Sequence, residues 1–301
     1  MILESFDALK KHLASQDGKL KRVVVANPTD AQTLSAVMAL FKEKLFFPIL
    51  VGEKVKILEV LTSINETETS TLEIVDVSGD TEIAEKSVAL IKEGMGDVLM
   101  KGHIQTRDLL KAVVNKEKGI RKQGVLSHVS INEIPYYHKL LFLTDGGMML
   151  TPDVDMKQAI LMNCLALTEK LGYENTKVAV LDASENVNPK LQASLDAEEL
   201  KNRGELGMFR DAIIEGPISL DLSLSKEIAK EKEYTSLVAG DADILLVSDI
   251  VAGNLLGKSM MTFGQGKMAG LVLGATVPII ITSRGSSAEE KMNSLMIACL
   301  M

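Results

Sequence analysis

Four times in its first hundred or so residues the chain sets a short aliphatic run before a longer helical pattern. VVVAN (23–27) precedes TDAQTLSAVMALFKEKL, and FFPILVG (46–52) precedes EKVKILEVLTSI. TLEIVDV (71–77) precedes DTEIAEKSVALIKEGM, and DVLMKG (97–102) precedes TRDLLKAVVNKEKG. The rhythm resumes with KVAVLDAS (177–184) and ADILLVSDI (242–250). Runs such as VVVA and ILLV lack apolar/polar alternation, the mark of strands covered on both faces. Strands of that kind need helices on each side, so the pattern predicts βαβ units and mainly parallel sheets, an α/β fold.

VLSHVSINEIPYYHKLLFLTDGG (125–147) breaks the rhythm, because no long helix separates its strand-like pieces. It reads as a hairpin or as a crossing between domains. Turn residues in TDGGMMLTPD (144–153) mark a boundary there. A chain of 301 residues is at the size where one core tends to split, so two α/β domains are expected.

Composition narrows the partners. With 46% hydrophobic and 25% charged residues the chain buries a substantial core. A net charge of −8 disfavours nucleic acid or an anionic membrane as the main partner, while a local basic pocket still admits an anionic small molecule. No apolar run approaches the roughly 18–20 residues of a membrane span. MILESFDALKKHLASQDG reads as an amphipathic surface helix and not as a signal peptide. Cys164 and Cys299 lie in apolar helical patterns without a CxxC pair, which points to a reduced, cytoplasmic protein.

Two glycine-rich stretches imitate nucleotide motifs. AGNLLGKS (252–259) has Ala252 where a P-loop needs its first glycine, so a glycine-assisted loop entering a helix is the better reading. GQGKMAG (264–270) is GxGxxxG and runs from helix into strand, the reverse of a dinucleotide fingerprint. The four histidines form no HExxH-like set and no GxSxG occurs, so neither a metal site nor a hydrolase elbow has sequence support.

Two other stretches point to an anion. In KGHIQTRDLLKAV (101–113) a strand ends at Lys101, Thr106 is placed as the N-cap, and Arg107 falls in the first helical turn. Cations there concentrate donors at an end already favourable to anions, although an exposed Arg107 beside Asp108 explains the pattern equally simply. TSRGSSAEEK (282–291) follows the most apolar run in the chain, LVLGATVPIII, read as a buried strand. Ser286 with Glu289, or Ser287 with Glu290, makes a capping box for the last helix. Neither box accounts for Ser283 and Arg284, a hydroxyl and a five-donor guanidinium at the strand's carboxyl end, where ligands of α/β sheets gather.

Beyond these physical readings the chain resembles the phosphate acetyl/butyryltransferase family, most closely its butyryltransferase branch. KGHIQT (101–106), LSHV (126–129), TDGGMMLTPDVDMKQAILMN (144–163), VAVLDASENVNP (178–189), GPISLD (216–221), AGDADILLVSDIVAGN (239–254) and GATVPIIITSRGSSAEEK (274–291) carry the resemblance. The preceding residues share only the α/β rhythm. The resemblance implies exchange of a short acyl group, butyryl or branched, between CoA and inorganic phosphate, with acyl-CoA as substrate and no permanently bound cofactor or metal. Phosphate acetyltransferase activity, or a non-catalytic module of the same fold that binds acyl-CoA or phosphate, are the alternatives.

The family pattern gives Ser283 and Arg284 the reacting phosphate and carbonyl. Its acetyl-specific members place an Asp seven residues after the Ser as the base for the CoA thiol. That count falls on Glu290 here, a departure that leaves Glu289 as a competitor. Lys101, Thr106, Arg107, Gly253 and Asn254 are implied as substrate-binding residues. The implied fold has an active cleft between two domains, 1–146 with 269–301 and 147–268, in a protein that is commonly a homo-oligomer.

Overall fold

The computed structural model describes residues 3–16, 18–283 and 285–301. It opens with α1 (Phe6–Ala14), an amphipathic helix that buries Phe6, Leu9 and Leu13. The alternating patterns then become β1 (Arg22–Ala26), α2 (Ala31–Lys42), β2 (Phe47–Gly52), α3 (Lys54–Ser63), β3 (Glu73–Asp76), α4 (Asp80–Lys92), β4 (Val98–Lys101) and α5 (Thr106–Val113). β5 (Ser127–Glu133) and β6 (Leu141–Thr144) follow with no helix between them. Next come α6 (Val154–Lys170), β7 (Lys177–Leu181), α7 (Gln192–Glu205), β8 (Ile213–Ile218), α8 (Leu220–Leu224), α9 (Lys226–Glu231) and β9 (Ile244–Leu246). The chain ends with α10 (Ile250–Thr262), β10 (Lys267–Leu273), β11 (Ile279–Ile280) and α11 (Ala288–Leu300).

These elements form two compact units. The terminal unit comprises Leu9–Gln123 and Ala269–Met301. Its strands run in the order β3-β2-β1-β4-β11-β10, all pairs parallel except β10 with β11. Val24 in β1 is paired with Ile49 on one side and Leu99 on the other, and like its neighbours Val23 and Val25 it is fully buried. The chain leaves β1 towards β2 and β3, and α4 then returns it to the opposite side of β1 as β4. The strand order therefore reverses between β1 and β4, a place where α/β sheets open a crevice at their carboxyl ends.

The run LVLGATVPIII is two strands and not one. It reverses at Gly274, whose φ of 95° suits a residue without Cβ, and Val272 pairs antiparallel with Ile279. That reversal leaves β11 parallel to β4, with α11 packed against α2.

The middle unit comprises Met1–Ala8 and Gly124–Met268, with strand order β5-β6-β9-β7-β8. β5 and β6 form an antiparallel hairpin, and the other pairs are parallel. These units differ from the expected division at residues 1–8 and 124–146, both of which fall in the middle unit. β6 pairs with β9, which ties the hairpin to the middle unit, so the turn residues at 144–153 connect β6 to α6 inside one unit. AGNLLGKS lies within α10, capped by Asp249, which accepts from the N–H groups of Val251 and Ala252. An uninterrupted helix there cannot wrap a phosphate as a P-loop does. Among the described residues, no helix is long and apolar enough to cross a membrane, and no group of three His, Cys, Asp or Glu side chains is placed to hold a metal ion.

Candidate active site

At the carboxyl ends of β1, β4 and β11 the terminal unit encloses a cavity of about 330 Å³. Asp30 to Thr33 follow β1, Lys101 to His103 close β4, and Thr282 and Ser283 follow β11. Lys291 of α11 completes the wall. Three segments far apart in sequence meet here because β1, β4 and β11 are neighbours in the sheet.

Local chemistry fixes the rim. Asp30 caps α2, its carboxylate accepting from Thr33 N at 2.8 Å. Asn27 has a positive φ of 54°, which Asn tolerates, and its Nδ2 donates to the His103 carbonyl at 2.8 Å. Gly102 donates to the Ala26 carbonyl at 2.8 Å, and a Cβ on it would lie 2.5 Å from the Asn27 carbonyl oxygen. Only glycine lets β4 leave the sheet this close to the end of β1.

Ser283 is exposed in the connection to α11, where its carbonyl accepts from Ser286 N at 3.1 Å. Arg284 lies outside the described residues. The capping alternatives resolve in favour of Ser287, which is the N-cap and accepts from Glu290 N at 3.1 Å. The Glu290 carboxylate is half-buried and accepts from the buried Ser286 hydroxyl at 2.6 Å, whereas Glu289 is exposed. This sets the two carboxylates in different surroundings.

The two lysines on the wall are almost completely buried, Lys101 at 6% and Lys291 at 4% exposure. Lys101 Nζ donates to the Gly102 carbonyl at 3.2 Å and Lys291 Nζ to the Ser286 carbonyl at 3.3 Å. Two buried ammonium groups on one cavity wall concentrate positive charge there, a setting that suits a small anion.

The expected residues of the first anion motif divide. Lys101 lines the cavity, but Thr106 and Arg107 do not. Gln105, not Thr106, holds the N-cap position of α5, without a side-chain cap. Thr106 is already helical, and the Arg107 side chain is 94% exposed, 4.0 Å from Asp108. Gly253 and Asn254 belong to α10 of the middle unit. A Cβ on Gly253 would lie 2.6 Å from Gly146 Cα, and Asn254 Nδ2 donates to the Gly146 carbonyl at 3.3 Å. Buried Asp145 organises the same loop, accepting from the N–H groups of His128, Gly147, Met148 and Met149.

Sequence reasoning missed Asp30, His103 and above all Lys291. A signal for Lys291 existed. It shares a helical stripe with Ser294, Leu295 and Ala298, all buried, and a lone cation on an otherwise buried stripe calls for an explanation.

Residues 81–299 match the model of the family described as phosphate acetyl/butaryl transferase. The chain is 35% identical to a phosphate butyryltransferase of Clostridium acetobutylicum over 300 residues, covering 100% of this chain and 99% of that one. It is 36% identical to a phosphate acetyltransferase of Rhizobium meliloti, covering 92% of this chain and 87% of the relative. The crystal structure of a branched-chain phosphotransacylase from Enterococcus faecalis V583 superposes with a TM-score of 0.83 at 33% identity, over 93% of this chain and 98% of that one. With the family model spanning most of its length and full-length relatives above 30% identity, the chain belongs to the phosphate acetyl/butyryl transferase family.

Proposed function

We propose that this protein is a phosphate acyltransferase that exchanges a butyryl or branched short acyl group between CoA and inorganic phosphate. The observation that carries the reading is the strand-end cavity, where Ser283 and two buried lysines share one wall. Family membership supplies the reaction class, and relatives named as butyryltransferase and branched-chain phosphotransacylase favour the acyl group.

In the direction of acyl phosphate synthesis, a phosphate oxygen attacks the thioester carbonyl carbon. The C–O bond forms, the C–S bond breaks, and the electron pair leaves on sulfur, which takes up a proton. Negative charge builds on the carbonyl oxygen, and a positioned hydroxyl such as Ser283 lowers that barrier by about 3–4 kcal/mol. Lys101 holds the phosphate by charge-assisted hydrogen bonds. Glu290 exchanges the thiol proton, and its orientation by Ser286 supports that role over Glu289.

Ser283, Arg284, Glu290 and Lys101 form the proposed core of the site. The roles of Arg284, Thr106, Arg107, Gly253 and Asn254 rest on the resemblance alone. We also read the protein as a cytoplasmic homo-oligomer, supported in its compartment by the free, buried Cys164 and Cys299.

The test is thiol release from acetyl-, propionyl-, butyryl- and isobutyryl-CoA in the presence of phosphate. Butyryl- or isobutyryl-CoA should turn over fastest. A clear preference for acetyl-CoA sinks the acyl assignment, and no release from any of the four sinks the enzyme reading.

A further inference from the structure

Four lysines are almost completely buried among the described residues, and Lys139, Lys157 and Lys291 differ in what neutralises them. Lys139 Nζ lies 2.5 Å from Asp243 and 3.0 Å from Asp241, and Lys157 Nζ lies 2.6 Å from Asp196. Those two are buried ion pairs, the usual condition of a charge removed from water. Lys291 is as deeply buried, yet its hydrogen bond goes to the neutral Ser286 carbonyl at 3.3 Å, beyond the usual 2.7–3.2 Å range. Among the described residues no carboxylate lies within ion-pair distance of it. An ammonium carries three donors, so one long bond to a carbonyl leaves most of its capacity for another acceptor.

The surroundings say which acceptor. Lys291 lines the same cavity as Lys101 and Ser283. The one carboxylate among the described lining residues, Asp30, is directed at the first turn of α2, where Thr33 N occupies it. The wall thus carries two buried cations at the place where strand ends meet helix N-termini, a setting that favours a compact, multiply charged oxyanion.

We propose that Lys291 is a phosphate-binding residue of this enzyme, donating from Nζ to an oxygen of inorganic phosphate or of the acyl phosphate. This rests on the acyltransferase reading and assigns within it a cation that the Ser283–Glu290 pattern did not single out. Its spacing has a consequence. Lys291 is one residue beyond Glu290 and bonded to Ser286, the residue that orients Glu290, so the phosphate seat and the proposed base share one turn of α11.

The experiment compares wild type with Lys291→Gln and Lys291→Arg. It uses equilibrium dialysis of labelled inorganic phosphate without acyl-CoA, and steady-state kinetics with butyryl-CoA and phosphate varied separately. Gln keeps a donor for the Ser286 carbonyl and removes the charge. It should weaken phosphate binding and raise the phosphate KM by about tenfold or more, the loss expected for one hydrogen bond to a charged group. The KM for butyryl-CoA should stay within about twofold, since about 0.4 kcal/mol is the most such a change represents. Arg should recover most of the phosphate binding. If Gln does not fold, Lys291→Met, apolar and of similar length, carries the same expectation.

Wild-type phosphate binding in a folded neutral variant overturns the proposal, as does an Arg variant no better than Gln. A rise in the butyryl-CoA KM with phosphate unaffected would assign Lys291 to the phosphates of CoA and also overturns it. Phosphate binding that depends on Lys291, in a protein that turns over no acyl-CoA, would keep this assignment and remove the acyltransferase reading. Turnover with a phosphate KM indifferent to Lys291 would do the reverse.

Discussion

The hydroxyl of Ser286 donates to Glu290 Oε1 at 2.6 Å, while Ser287 accepts from Glu290 N at 3.1 Å. Adjacent serines thus hold the same residue by its side chain and by its backbone. Ser287 does the ordinary work of an N-cap, and Ser286 fixes where the carboxylate points.

That division of labour separates catalysis from stability. Glu290→Gln keeps the shape but cannot accept a proton, so kcat should fall by about 10²–10⁴-fold with CoA binding nearly unchanged. Ser286→Ala should lower kcat by less, because the carboxylate survives without its guide. Glu289→Gln should cost little. Steady-state kinetics on the three variants decides the matter, and an inactive Glu289→Gln beside an active Glu290→Gln would refute the assignment.

Ser287→Ala removes the cap alone. It should lower stability by about 0.5–2 kcal/mol, read from urea unfolding, while kcat stays near wild type. An unchanged denaturation midpoint would mean that the first turn of α11 is held by something else.

Gly102→Ala tests the close approach of β4 to β1. The added Cβ meets backbone at 2.5 Å from the Asn27 carbonyl oxygen, so the rim must shift. Overpacking of this kind costs about 1–3 kcal/mol, and the phosphate KM should rise with it. A variant with wild-type stability and KM would show that the cavity rim is more yielding than its geometry implies.

Acid should weaken the middle unit through Asp241. Burial works to raise its pKa, but hydrogen bonds from Lys177, Lys139 and His138 outweigh it and hold the carboxyl well below the usual range. A carboxylate depressed in the folded state contributes fully above its unfolded value of about 3.9, and the contribution disappears as pH falls from there through the folded value. Asp241→Asn should therefore be less stable than wild type at pH 7, with the gap closing as the pH is lowered towards 3. Parallel unfolding profiles across that range would exclude this carboxylate as the source of acid sensitivity.

Legibility in the sequence followed the range of the forces involved. Strand existence at 23–27, 46–52 and 97–102 was readable, since short aliphatic runs set between helical patterns suit a sheet covered on both faces. The reversal at 274–278 was not, because LVLGATVPIII is apolar throughout and periodicity cannot mark a turn inside it. Residue type favours Thr106 as the cap, yet Gln105 occupies that position, where the backbone enters the helix without side-chain help. Assigning 124–146 to the first domain failed for a similar reason. Its partner strand β9 begins a hundred residues after β6 and no local signal names it.

By itself the sequence determined what depends on neighbours three or four residues away: the α/β alternation, the capped last helix, and Ser283 set just before it. It also determined the family, through motifs kept in one order. Only the tertiary structure decided that the ends of β1, β4 and β11 adjoin, and hence that Asp30, Lys101, Ser283 and Lys291 enclose one cavity. Strand order is set by which backbones pair across the sheet and which apolar faces they bury together. Those choices link residue 26 to 101 and residue 100 to 280, separations that no local pattern spans.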